Sequence, residues 1–566
     1  MNIFKRIPLA FFILALLMHA FSANISKATL PVGNGIRLCS IGYLPDVAKE
    51  ATVVGAASGI TSFRLVDTKT GAVVYEGTLG APRESRVTNE VARIADFSAF
   101  GKTGTYLLKI DGLPDSEPFS ISKNAVDNSL QVVMLGFHGQ RCGQAVSLDW
   151  QGQTFSHGPC HTAPSKLDYY DKSLAGQTKD ATGGWHDAGD YGRYAVNSAF
   201  TCAILMEAWE RNGRNLEKLN LPIPEHGKSK LPDFLAELKY NLDWHLKLQM
   251  DDGRVVHRVS TKRFGGMVLP ESDSNETFFS PVCRLSTIDF AAMGCMAARV
   301  YEKYDPVYAQ KWRDAAKKAW IAVRGMPVDS KPDLSGFEMG VYLTEPQSDT
   351  LWALIELRMT FGDEFLTDIE RVKFHDAIDD DNRVFAVTWD WGRGYNIGLY
   401  DYIFSKDARD NPEILARLQK DLVGAADLIM ENRATHVYGR GIRVYYWGCN
   451  GAVVRTSMNL QAAYLVTGNK KYLDAAYDQI AYVYGRNPFS RSFVTGDGLN
   501  PPMFPHHRPS AGDNIVDPWP GHLVGGANPK ETDWFDEMPS FRTNEFAINW
   551  DASLAYALSI FYRGDK

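Results

Sequence analysis

The chain has 566 residues, 45% hydrophobic and 22% charged, which suits two globular domains better than one and lets each bury a core without disulfide staples. A net charge of −7 with no basic cluster argues against nucleic acid or an anionic membrane surface as partner. The seven cysteines are odd in number and widely spaced, so a disulfide framework is disfavoured. In chain order, Lys5 and Arg6 precede an apolar run from Leu9 to Met18 and then the small, polar stretch 20–24. This predicts a secretory signal peptide over residues 1–23, too short to span a membrane, and hence a soluble, secreted or periplasmic protein. No cysteine follows the run closely, so no lipid anchor is expected.

Residues 29–122 read as short alternating segments between turns. Phe63–Val66 leads into the turn Asp67-Thr-Lys-Thr-Gly71 and then Val73–Glu76, and Gly104–Ile110 leads into Asp111-Gly112. Strands at about ten-residue spacing predict a small immunoglobulin-like β-sandwich. From Asn124 the period becomes helical, with apolar residues recurring at three and four over 195–209, 234–250, 288–301, 351–361, 414–429, 460–465 and 472–484. Roughly a dozen helices over 125–566, with no alternating strands, disfavour a parallel-sheet fold and suit a closed helical toroid. Cys202 and Cys295 fall inside these helices and read as small buried hydrophobes.

Three stretches carry chemistry. In Gly183-Gly-Trp-His-Asp187-Ala-Gly-Asp190-Tyr-Gly-Arg-Tyr194, two carboxylates three apart sit on a tight loop at the head of a helix. Such a loop can aim both acids at one water, although a bare pair of this kind is more often a solvated or calcium-binding turn. Near the C-terminus, Glu545 lies in an apolar, aromatic setting at the start of the last helix, where a carboxyl's pKa rises as a general acid requires; a glutamate complementing a helix dipole is the plainer alternative. Between them, Ser492–Gly498 and Pro505-His506-His507-Arg508 place polar donors on a Gly/Pro-rich loop. Thirteen Trp and twenty-five Tyr could stack on sugar rings, or simply fill a helical core.

Together these stretches resemble glycoside hydrolase family 9. The first is similar to that family's Asp-Ala-Gly-Asp loop, the segment Ser492–Arg508 to its histidine signature, and Trp534, Asp536, Phe541, Glu545 and Ala547 to its carboxylate signature. One position departs, with Asp551 where the family expects Asn. Ile41-Gly-Tyr-Leu-Pro45 and Asp96-Phe-Ser98 resemble the immunoglobulin-like domain that precedes the barrel in one branch. The resemblance implies an (α/α)6 barrel and an inverting endo-β-1,4-glucanase, with Asp190 as general base, Asp187 as its partner on the water and Glu545 as general acid. His506, Arg508, Asp536, Tyr446 and Trp447 would contact substrate. Exo-acting relatives share these residues, and a non-catalytic glycan binder is disfavoured by the three intact acids. The preferred glucan is left open between cellulose, mixed-linkage glucan and xyloglucan.

Cys142, Cys160, His161 and His186 could form a tetrahedral zinc site, while the spacing alone allows a Cys142–Cys160 disulfide or buried thiols equally well. The same branch carries a structural zinc with this ligand order, which favours zinc here, pinning the catalytic loop. A calcium site common in relatives is doubtful, because the acidic pair expected before Trp352 reads Ser348-Asp349. No organic cofactor is expected, and the chain is read as a monomer.

Overall fold

The structure is a computed structural model that describes residues 35–85, 88–328, 330–365 and 384–564. The expected signal peptide lies outside the described residues.

Two four-stranded antiparallel sheets make the N-terminal module. One runs in the order β1 (Gly35–Arg37), β2 (Glu50–Val54), β6 (Val91–Asp96), β5 (Arg83–Glu84); the other runs β4 (Val73–Thr78), β3 (Ser62–Asp67), β7 (Gly104–Lys109), β8 (Phe119–Ile121). Alternation decides which side chains face inward: Phe63 and Leu65 on β3, and Tyr106 and Leu108 on β7, are buried between the sheets. The predicted turn at 67–71 forms because the Asp67 carboxylate accepts from the Lys69 and Thr70 amides, and Gly71 takes the positive φ of 67° that closes it.

The remainder is a double ring of helices. The inner ring is α2 (Ala195–Leu216), α4 (Arg284–Tyr301), α6 (Pro346–Phe361), α7 (Tyr395–Phe404), α9 (Cys449–Thr467) and α13 (Ile548–Ser559), each touching the next and the last returning to the first. Outside them lie α1 (Asp127–Gly139), α3 (Asp233–Leu248), α5 (Pro306–Arg324), α8 (Pro412–Thr435) and α10 (Lys470–Val483). Two single-turn helices, α11 (Arg508–Gly512) and α12 (Phe541–Asn544), sit in the loops. Period explains the division. Outer helix α5 buries Tyr308, Ala309, Trp312, Ala315, Ala316, Ala319, Trp320 and Val323 on one face, starts from an Asp305 cap on the Tyr308 amide, and has Pro306 at its first position. Inner α4 is buried from Leu285 through Ala298, as a helix surrounded by others must be.

The structure departs from the sequence reading in three places. Helix α9 runs over 449–467, where periodicity showed only 460–465. Asn450, Arg455 and Gln461 interrupt the apolar pattern but are buried and bonded to Val524 O, Ser553 Oγ and Ala557 O of neighbouring elements. Short strands occur within the helical domain: the hairpin β9 (Val146–Trp150) and β10 (Gln153–His157), and a five-stranded sheet in the order β12 (Thr178–Lys179), β11 (Ser165–Lys166), β15 (Phe278–Phe279), β14 (Arg258–Ser260), β13 (Arg193–Tyr194). Glu545 does not sit in the first turn of a helix. Its backbone is extended (φ −82°, ψ 154°), three residues before α13 begins.

The two modules share one interface. Glu50 of β2 pairs with Arg433 of α8 at 2.9 Å and with Arg486 at 2.8 Å, and Asp478 of α10 contacts both arginines. Ser40 donates its amide and its hydroxyl to Tyr484 O, and Tyr477 OH donates to Gly42 O at 2.9 Å.

Candidate active site

The segments that enter the inner helices converge at the same end of the ring. Asp187 and Asp190 precede α2, Tyr342 precedes α6, Trp391 precedes α7, Trp447 precedes α9, and Glu545 precedes α13. They line one cleft of about 290 Å³, joined by Phe264 from the loop after β14 (Arg258–Ser260). The positive ends of the helix dipoles therefore face the cleft, which suits a site holding anionic carboxylates.

The Asp187–Asp190 loop is anchored from behind. Trp185 donates its amide to Asn241 Oδ1 and its indole N–H to Glu237 Oε1, each at 3.0 Å, and the His186 amide donates to Gln140 O. Gly184 adopts φ 78°, and a Cβ there would stand 2.7 Å from the Trp244 ring. Asp187 is buried and accepts from Asn197 Nδ2 at 2.8 Å on one oxygen and from Tyr342 OH at 2.6 Å on the other. Burial, followed by the charge of Asp190, pushes its pKa up to about 7 against those two donors. Asp190 uses a single oxygen, Oδ2, for the Gly192 amide at 3.0 Å and Tyr194 OH at 3.2 Å. No group among the described residues bonds to its other oxygen.

Glu545 reaches the same cleft from the far end of the chain. The Asp187 carbonyl caps α13 through the Ile548 amide, so one hydrogen bond registers the two segments. The Gly189 backbone passes so close that a Cβ there would lie 1.9 Å from His506 O and 3.2 Å from Glu545 Oε1. Burial pushes the Glu545 carboxyl well above its ordinary range, the charges of Asp190 and Asp187 add to this, and Arg508 opposes it. A shift in this direction tightens the carboxyl's hold on its proton, the direction a general acid needs.

The other residues expected to touch substrate divide. Trp447 lines the cleft and is 46% exposed, next to Phe541 at a ring separation of 5.3 Å. His506, half-buried, follows Phe541 along this wall at 6.0 Å, and its Nδ1–H donates to Met538 O, which turns Nε2 into an acceptor. Tyr446 is half-buried behind Trp447, packed against the core. Arg508 is buried and committed to backbone, donating to Gly189 O at 2.7 Å and Gly265 O at 3.0 Å. Asp536 accepts from the Met503 and Phe504 amides, Arg491 and Asn544, so it shapes the loop before His506. Tyr342, Asn197, Trp391 and Phe264 carried no distinguishing signal in the sequence. A tyrosine a few residues before an inner helix is the trace that could have pointed to Tyr342.

Beside the loop, the ligand atoms of Cys142, Cys160, His161 and His186 all lie within 4.8 Å of one another. Cys142 Sγ stands 3.6 Å from His161 Nδ1, and Cys160 Sγ stands 3.8 Å from both Cys142 Sγ and His186 Nε2. A disulfide would need about 2.05 Å, so these are two thiols. A tetrahedron with zinc–sulfur bonds of about 2.3 Å has sulfur–sulfur edges of about 3.8 Å, so the donor set fits zinc. A second acidic group, Glu207, Glu210 and Asp401, lies at the opposite end of the ring, where Arg211 already pairs with Glu207 and Asp401. Asp349 accepts from Thr344 Oγ1 before α6.

Comparison with known proteins agrees with this arrangement. Endoglucanase D of Acetivibrio thermocellus is 43% identical over 535 residues, 93% of this chain and 83% of that protein. The crystal structure of a metagenome-derived glycoside hydrolase family 9 endoglucanase superposes with a TM-score of 0.85 at 30% identity, over 94% of this chain and 99% of that one. A zinc-binding triple mutant of the family 9 endoglucanase J30 gives 0.85 at 29% identity, covering 92% and 100%. Residues 32–115 match the cellulase N-terminal ig-like domain. With residues 127–558 matching glycosyl hydrolase family 9, the chain belongs to that family, an (α/α)6 barrel behind an immunoglobulin-like sandwich.

Proposed function

We propose that this chain is an exported, inverting endo-β-1,4-glucanase acting on cellulose or a related β-glucan. The observation that carries the reading is the contrast across one cleft: two aspartates fixed by hydroxyl and amide donors face a half-buried glutamic acid whose hold on its proton is strengthened by desolvation and by the charges of those aspartates. Glu545 protonates the leaving glycosidic oxygen. Asp190 removes a proton from a water that Asp187 helps to hold, and the water attacks the anomeric carbon from the opposite face in a single displacement. Inverting enzymes separate the two roles by about 6.5–9.5 Å to admit that water. Exposed Trp447, Phe541 and Phe264 offer faces on which sugar rings stack, and His506 Nε2 accepts from a hydroxyl.

Cys142, Cys160, His161 and His186 would hold a structural zinc. The ion supplies folding energy to its ligands when bound. His186 is covalently next to Asp187, so the cluster sets where the catalytic loop begins. Asp273 Oδ2 lies 3.8 Å from His161 Nε2, within ion-pair reach but beyond a hydrogen bond.

The test is an assay on carboxymethyl cellulose that follows viscosity and reducing ends together. Rapid thinning at low sugar release is the expected result. Sugar release without thinning would make the enzyme exo-acting, and the absence of both would make it a glycan binder.

A further inference from the structure

Asp551, where the family's signature expects asparagine, lies in the first turn of α13 and has a defined task. Segment 521–526 runs as a rail between two others. On one side the Val524 amide donates to Phe493 O at 2.9 Å; on the other the Gly525 amide donates to Glu545 O at 2.7 Å. Asp551 fixes the register of this rail, with Oδ1 accepting from the Leu523 amide at 2.7 Å and Oδ2 lying 3.0 Å from His522 Nδ1. The His522 ring stacks on Phe546, the residue after Glu545, with centroids 3.8 Å apart and planes inclined by 17°. These side chains are buried, and His522 Nε2 has no hydrogen-bond partner among the described residues.

A carboxylate only accepts, so Asp551 fixes the imidazole proton on Nδ1 and with it the orientation of the ring. An asparagine would still accept from Leu523 through its oxygen, but it would present an NH₂ group to Nδ1 and shift the imidazole proton to Nε2. We propose that Asp551, acting through His522 and the 521–526 segment, is a positioning residue for the proton-donating carboxyl of Glu545. The proposal rests on Glu545 being the general acid. Asp551 holds Leu523 and His522 directly, and the same segment meets the Glu545–Phe546 pair at both residues, through the Gly525 amide on Glu545 O and the His522 ring on Phe546.

The experiment measures kcat, KM and thermal midpoint for the parent, Asp551→Ala, Asp551→Asn, His522→Phe and Glu545→Gln. Two substrates are used: a cellooligosaccharide, whose leaving group needs a proton, and dinitrophenyl β-cellobioside, whose leaving group does not. Misplacing an acid by an ångström costs about 100-fold, so Asp551→Ala should lose about that on the cellooligosaccharide, about 5-fold or less on the activated substrate, and keep KM within about 2-fold. Asp551→Asn should restore most of kcat, because the amide still meets both partners. His522→Phe, which keeps the stack and drops the polar contact, should lose activity in the same selective way, and it carries the test if Asp551→Ala does not fold. An equal loss on both substrates for Asp551→Ala or His522→Phe would overturn the proposal. If Glu545→Gln shows the selective loss and these variants do not, only the positioning role fails. If Glu545→Gln itself loses equally on both, the acid assignment fails with it.

Discussion

Glu545 and Asp190 share a cleft but not an environment, and the roles proposed for them follow from the difference. Burial holds the Glu545 carboxyl well above its ordinary range, while Asp190 accepts two hydrogen bonds on one oxygen and none from the described residues on the other. Glu545→Gln should therefore cost several orders of magnitude on cellulosic substrates and little on dinitrophenyl cellobioside, whereas Asp190→Asn should be poor on both. Steady-state rates on the two substrates check this. The pH dependence follows from the sign of the shift: an acid works while protonated, so activity should fall as pH rises through the raised Glu545 pKa. That alkaline limb should vanish from the residual activity of Glu545→Gln on the activated substrate. The three acids were legible because each sits in a short local pattern. Tyr342 was not, because it meets Asp187 from 155 residues away and only the closed ring brings them together. Arg508 and Asp536 were legible as important, yet their partners are backbone groups that no sequence pattern specifies.

At the scale of elements, the catalytic loop is held by what lies on either side of it. A methyl group at Gly189 has no room between His506 O and Glu545, so Gly189→Ala should push the acid and base segments apart. We expect a loss of kcat on the order of 100-fold with a small change in thermal midpoint, measured by steady-state kinetics beside thermal unfolding. On the other side, Cys142→Ser or Cys160→Ser should lower thermal stability and activity together, and elemental analysis of the parent should give about one zinc per chain. Helix existence was well marked by the 3.6-residue period in amphipathic outer helices such as α5 and poorly marked in α9, whose buried polar residues bond to neighbouring elements and hide its length. The extended stretch at Glu545 escaped the sequence reading because its pairing partner, segment 521–526, is set by tertiary structure.

Across the whole molecule, the β-sandwich is bolted to the barrel by charge. Burial alone would raise the Glu50 carboxyl; Arg486 and Arg433 overturn that and hold it at about 2. Its pairing therefore contributes stability above the ordinary carboxylate range, and this is lost as pH falls from about 4.5 toward 2. Glu50→Gln should cost about 3 kcal/mol near neutrality, because it leaves two arginines sharing Asp478, and the difference from the parent should shrink over that acid window in denaturant titrations. Ring closure is the feature that makes the site: the N-termini of α2, α6, α7, α9 and α13 meet at one cleft only when the last helix packs against α2, which places Glu545 opposite residues near the start of the domain. The account's central claim is that these groups carry out a single displacement. Proton NMR of the first product released from a β-linked cellooligosaccharide tests it most directly. The α-anomer should appear first and mutarotate to the equilibrium mixture, whereas the β-anomer as first product would contradict the mechanism.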